Sequence, residues 1–221
     1  TFDLLSFDSK GKQVSGGYAT SGGSWTDPNV YGAKSLASYE LAYNEDLNGD
    51  GEIGVNLANL KVLTTDTSGL RLARDNGDQS LCIVEVDGTG QITKAVAAIQ
   101  SGYMENSYTY GSDYNKREAI AVTQKADGNY LVAIKSSSKW GGNAEQVTYD
   151  LLTFDAQGKQ LYGSYASGGA WSDPNVYGVK SMTPYEADFN QDFNNDGYIG
   201  IDVSKLTPVT TDTKGIVLAR D

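Results

Sequence analysis

The amino-acid sequence predicts a mainly β fold of antiparallel meander and hairpin repeat modules, each with a short helix leading into an EF-hand-like calcium loop. Three observations carry that prediction. First, 15 Tyr and 26 Gly among 221 residues, with only four Pro and two Met, describe aromatic-rich strands joined by tight turns. Second, the sequence repeats itself over most of its length. Third, each copy of the repeat contains a run of Asp, Asn and Gly at the spacing of metal-ligating positions.

The duplication is read directly from the residues. Trp25 aligns with Trp171, Asp-Pro-Asn-Val-Tyr-Gly at 27–32 with 173–178, Thr-Thr-Asp-Thr at 64–67 with 210–213, and Leu-Ala-Arg-Asp at 72–75 with 218–221, all offset by 146. Before Trp25 the offset is 147, as for Phe7 with Phe154 and Tyr18 with Tyr165, which places one extra residue near Thr20 and Ser21 in a surface loop. Residues 1–75 and 148–221 are therefore two copies of one half-unit, separated by an unrepeated half at 76–147. In repeat periods, 1–54 closes a first repeat with its calcium loop, 55–200 is one complete repeat, and 201–221 starts a following one. Such a chain is expected to be a mature or excised piece of a tandem array, with its targeting signals elsewhere.

In chain order, 2–8 and 12–18 predict a hairpin across Ser-Lys-Gly at 9–11, and 147–155 with 159–165 predict its counterpart across Ala-Gln-Gly at 156–158. Between them 118–124 and 129–135 flank Ala-Asp-Gly, so these hairpins in succession predict a four-stranded antiparallel meander. Further strands are expected at 69–74, 80–87 and 91–98. Leu36, Tyr39 and Tyr43, like Met182, Tyr185 and Phe189, fall at i, i+3 and i+7 and predict one apolar helix stripe in each copy. Thr183-Pro184-Tyr185-Glu186 reads as a capping box with Pro at the first helical position, which casts Glu186 and its counterpart Glu40 as helix caps.

Each helix runs into the calcium-loop pattern. Oxygen donors are expected at positions 1, 3 and 5, Gly at 6, and a backbone carbonyl at 7. Those places hold Asp46, Asn48, Asp50, Gly51 and Glu52, then Asp192, Asn194, Asp196, Gly197 and Tyr198. Ile53 and Ile199, at position 8, are expected to bury an apolar side chain and tie the loop to a core. Position 12, where an EF-hand places a bidentate Glu, holds Leu57 and Val203, so calcium needs further oxygens. Water, Asn56 or Asp202 at position 11, or Asp66 and Asp212 from the Thr-Thr-Asp-Thr segments are the candidates.

Charge and composition exclude several functions. A net charge of −11 argues against nucleic acid and anionic membranes as partners, and no apolar run is long enough for membrane insertion. With no His, neither a His-based triad nor His-ligated zinc can form. The Asp and Glu residues concentrate in turns and loops, and no catalytic set emerges. Cys82 has no partner cysteine and is expected to pack as a small apolar residue.

The helix with spaced aromatics and Glu, the run Asp-Leu-Asn-Gly-Asp-Gly-Glu-Ile-Gly, and the strand that follows resemble the tryptophan-rich, calcium-loop tandem-repeat modules of large secreted and surface proteins of cyanobacteria and other bacteria. The match is best over 117–200: Ala119 to Lys135 and Gln146 to Asp155 match the family's strand pairs, and Tyr185 to Gly200 its helix and loop. Residues 76–116 match poorly, and Tyr often stands where the family has Trp. The resemblance implies a non-enzymatic, extracellular or cell-surface, structural or adhesive segment whose partners are neighbouring copies of the same repeat or chain. The alternative is a glycan-binding module in which Trp25 and Trp171 offer aromatic platforms to surface glycans.

Overall fold

The computed structural model describes residues 2–14, 17–18, 25–26, 29–33, 35–64, 69–77, 79–99, 105–161, 164–166, 170–211 and 213–220. The strands begin with β1 (Phe2–Leu4), β2 (Gly17–Tyr18), β3 (Trp25–Thr26), β4 (Val30–Ala33), β5 (Leu60–Val62), β6 (Leu70–Asp75), β7 (Leu81–Val86) and β8 (Ile92–Ala98). They continue with β9 (Asn106–Tyr110), β10 (Asp113–Gln124), β11 (Tyr130–Lys139), β12 (Gln146–Phe154), β13 (Ser164–Ala166), β14 (Ala170–Ser172), β15 (Val176–Val179), β16 (Thr207–Thr211) and β17 (Val217–Arg220). Two short helices, α1 (Ala37–Tyr43) and α2 (Glu186–Phe189), and two 3-10 turns, Leu57–Asn59 and Thr183–Tyr185, join them. The chain divides into two compact units, Thr1–Lys180 and Ser181–Asp221. No helix of the described residues is long and apolar enough to cross a membrane.

In the first unit a four-stranded antiparallel sheet, β5-β6-β7-β8, and a five-stranded one, β15-β12-β11-β10-β9, share a core. Leu72, Ile83, Val122, Val132, Ile134 and Phe154, drawn from both sheets, are fully buried in it. Each such side chain stabilises the fold by about 1.5–3 kcal/mol relative to exposure. The continuous apolar run of β7 is explained by burial on both faces: Leu81 and Ile83 enter this core, while Cys82 and Val84 join Ala73 and Ala98 on the other side. Cys82 is therefore packed as its sequence context predicts.

Strands expected at 69–74, 80–87 and 91–98 form as β6, β7 and β8, and 118–124 and 129–135 form the longer hairpin β10–β11. Gly128 closes that hairpin at φ 86°, a left-handed turn position that Gly adopts without strain. The expected fourth meander strand differs. Among the described residues of 159–165, Gln160 bridges Phe154 and the Leu161 amide donates to the Thr153 carbonyl at 2.8 Å, and β15 takes the place beside β12 further along. The cause is Asn175, whose Oδ1 accepts the Thr153 amide at 2.6 Å while its Nδ2 donates to the Leu161 carbonyl at 2.6 Å. This side chain stands between the two arms and takes the place of the ladder bond from the Thr153 amide to the Leu161 carbonyl. Asn29 does the same in the first copy, between Ser6 at 2.7 Å and Val14 at 2.8 Å. The extra residue expected near Thr20 and Ser21 lies outside the described residues.

The second helix also departs from expectation. Residues 183–185 form a 3-10 turn and only four residues continue as α2. The capping box is not made: Ser181 Oγ, not Thr183, accepts the local amide at 3.2 Å, and no side chain caps either helix start. Pro184 suits the tight first turn, and Glu186 is engaged elsewhere.

Candidate metal centres

Both loops are turned about their first aspartate. Asp46 Oδ1 accepts the amides of Gly49 at 2.7 Å and Asp50 at 3.2 Å, and its Oδ2 accepts that of Gly51 at 2.9 Å. Asn48 Oδ1 accepts the Asp50 amide at 2.8 Å, and Asp50 Oδ1 that of Glu52 at 3.0 Å. Asn48 Nδ2 donates to Asp50 Oδ2 at 3.2 Å, which draws the position 3 and 5 side chains together.

The second loop repeats the arrangement bond for bond at its shared contacts. Asp192 accepts from Asp196 at 3.3 Å and Gly197 at 2.9 Å, Asn194 Oδ1 from Asp196 at 2.9 Å, and Asp196 Oδ1 from Tyr198 at 2.8 Å. Positions 4, 6 and 9 lie at positive φ in both loops, with Gly49 at 77° and Asn195 at 58° filling position 4. Gly and Asn are the residues that take this conformation at least cost.

A residue outside each predicted ligand set closes the loop. Glu40, 0% exposed, accepts the Leu47 and Asn48 amides on Oε1 at 3.2 and 3.1 Å and the Gly54 amide on Oε2 at 2.8 Å. Glu186, also 0% exposed, accepts Phe193 and Asn194 at 3.0 and 3.3 Å and Gly200 at 2.9 Å. Each carboxylate thus ties the start of its loop to its end. Both lie in the first turn of their helices, but neither start has a side-chain cap bond and both carboxylates are taken up by loop amides, which corrects the capping expectation.

Ile53 and Ile199 are exposed, contrary to the expectation that they enter a core. In the first unit Ile53 instead walls an open cleft of about 550 Å³ with Val55, Leu57, Ala95 and Ala97. Asn56 and Asp202, the position 11 candidates, both cap the turn that follows. Asn56 Oδ1 accepts the Ala58 amide at 3.1 Å, and Asp202 Oδ1 accepts the Ser204 amide at 2.9 Å and hydroxyl at 2.6 Å. The Ser204 hydroxyl, then its amide and Lys205, hold the Asp202 carboxyl below its ordinary value. Leu57 and Val203 at position 12 are exposed, and Asp66 and Asp212 lie outside the described residues.

Among the described residues no three His, Cys, Asp or Glu side chains group as a metal cluster. Each loop brings two carboxylates together with one amide oxygen. Oxygen donors alone, of mixed charge and with at least one oxygen on each side chain that accepts a single amide, fit a hard cation such as calcium and suit neither zinc nor copper. Trp25 and Trp171 lie on β3 and β14 opposite Tyr18 and Tyr165, and their side chains are outside the described set. Trp140, not singled out from the sequence, is exposed and stacks on Tyr108 with ring centroids 6.2 Å apart. No family model, curated protein or solved structure matches the chain.

Proposed function

We propose that this chain is a non-enzymatic, calcium-binding tandem-repeat segment of a large extracellular structural or adhesive surface protein. The observation that carries the reading is the pair of loops, each presenting two carboxylates and an amide oxygen and each closed by a buried Glu. Asp46, Asn48, Asp50 and the Glu52 carbonyl would hold one ion. Asp192, Asn194, Asp196 and the Tyr198 carbonyl would hold the other, with water completing both shells. Calcium supplies positive charge that offsets the mutual repulsion of the two aspartates. The chain's own part is to turn those oxygens inward and to fasten the loop ends through Glu40 and Glu186. Repeats built this way stiffen when metal binds only the folded form, by about 2.7 kcal/mol at one hundred times Kd. The net charge of −11 suits a surface bathed in divalent cations.

Calorimetric titration of the metal-free chain should give two calcium ions, falling to one in Asp46→Ala and in Asp192→Ala. Asp196→Ala should lower the melting temperature in calcium and change it little in a chelator. Absence of binding, or equal destabilisation in both conditions, would make these loops plain turns.

A further inference from the structure

The two copies of the half-unit have the same internal register and opposite burial. β1 pairs with β4 through Phe2 with Ala33 and Leu4 with Val30, and β12 pairs with β15 through Tyr149 with Val179 and Leu151 with Val176, the corresponding residues. Yet Phe154 is 0% exposed and Phe7 is 58% exposed, and Leu152 is buried where Leu5 is not. At the other end the relation inverts. β5 with β6 and β16 with β17 share the pairings Lys61 with Arg74 and Thr207 with Arg220, but Leu72 is 0% exposed and Leu218 is 62% exposed.

What covers the buried member is visible in each case. β12 is flanked by β11, whose Leu131 and Tyr130 stand against Thr153 and Phe154. β6 is flanked by β7, where Ile83 stands opposite Leu72. Both flanking strands come from 76–147, the half that occurs once. Among the described strands β1 has β4 as its one sheet neighbour and β17 has β16. Among the described residues, two sheet edges with apolar side chains thus lack the layer that their counterparts have.

We propose that these edges are docking surfaces for a polypeptide segment of the 76–147 kind. The β17 edge takes an antiparallel strand of β7 character, with its aliphatic side chains against Leu218. The β1 edge takes one of β11 character, covering Leu5 and Phe7. The segment is supplied by an adjacent repeat of the same polypeptide. This rests on the tandem-repeat part of the reading above and not on calcium, so it is tested in chelator.

The test extends the full chain after Asp221 with a second copy of residues 76–147, beside a control extended with the same residues scrambled. Hydrogen exchange of the Val217–Arg220 amides should slow by roughly tenfold or more in the true extension alone. Leu218→Asp should leave the melting temperature of the 221-residue chain unchanged and lower that of the extended one. A matching extension ahead of Thr1 should protect Phe2–Leu4, giving a second, independent measurement. Unprotected strands at both ends, or an equal Leu218→Asp effect in both chains, would overturn the assignment. So would protection of β17 in the unextended chain that grows with protein concentration, which would give the edge to a second copy instead. Calcium titration of the same samples reports on the metal loops separately.

Discussion

The loops at 46–54 and 192–200 are alike in backbone and unlike in what surrounds them. Both are wound about an Asp, both place a left-handed residue at position 4, and both are fastened by a buried Glu to three amides. Around that frame the charge is redistributed. Position 7 is Glu52 in one and Tyr198 in the other, position 11 is Asn56 against Asp202, and Asn59 corresponds to Lys205. Lys205 Nζ lies 5.6 Å from the Tyr198 ring centroid and 3.5 Å from Asp202 Oδ2. The shape of the loop therefore depends on few residues, and the electrostatic setting is free to vary.

The largest expected effect comes from breaking what the loops share. Gln in place of Glu40 or Glu186 keeps the volume but offers one carbonyl oxygen, and turns an NH2 toward an amide that needs an acceptor. A buried donor left without a partner costs about 1–3 kcal/mol, and the lost charge weakens the remaining bonds, so about 2–4 kcal/mol is expected for either substitution. Denaturant unfolding in chelator should show the loss without any metal present. That contrasts with the aspartate ligands, whose loss should cost more in calcium than in chelator. A Gln variant within about 0.5 kcal/mol of the parent would show that the loops hold their form without the clamp.

How far the sequence disclosed all this varies with the range of the interaction. β7 and β8 are legible because β-branched residues and flanking turns are local signals, β6 because Leu alternates with polar residues at 70–72, and the candidate ligands because their spacing is fixed within nine residues. β9 is not, since every residue of Asn-Ser-Tyr-Thr-Tyr is exposed and no burial pattern marks it. β15 displaces the expected strand through Asn175, a side chain 22 residues from the amide that it accepts. The Glu clamp is the clearest omission at the site. Its partners are backbone amides 7, 8 and 14 residues downstream, invisible as residue types, and the capping motif around Glu186 offers a local account that the fold does not use. The spacing of Glu40 and Glu186, six residues before the first Asp in both copies, is the signal that was available.

A smaller effect should follow from the charge difference. Residues 46–59 carry three acids and no base, and 192–205 carry three acids and one lysine. One unit charge about 8 Å from a divalent ion changes its energy by about 1 kcal/mol in water, and less once salt screens it. The first loop should therefore bind calcium about two- to fivefold more tightly than the second. Lys205→Asn should narrow the gap and Glu52→Tyr should close it from the other side, as read by titration of chains in which the opposite loop is disabled by Asp→Ala. Both differences should shrink in high salt. A gap that persists there would have its origin in loop rigidity instead.

The smallest effect tests the residue that differs at position 11. The Asp202 carboxyl lies below its ordinary value of 3.8, chiefly because the Ser204 hydroxyl donates to it, with the Ser204 amide and Lys205 adding to the shift. A carboxyl whose folded pKa is depressed contributes stability that is fully present above its unfolded value. That contribution is lost as the pH falls through the folded value. Ser204→Ala removes the hydroxyl and leaves the amide, so the Asp202 pKa should rise toward 3.8 without reaching it. The variant should then be slightly less stable than the parent near neutral pH, and the difference should vanish below the folded pKa, where both carboxyls are protonated. Carboxyl carbon shifts of Asp202 followed by NMR, with melting curves at the two ends of that range, read both quantities. Asn56 cannot titrate, so the first loop should show no such acid limb from this position. An unmoved Asp202 pKa in the Ser204→Ala chain would assign the depression to Lys205, and Lys205→Asn would then raise it.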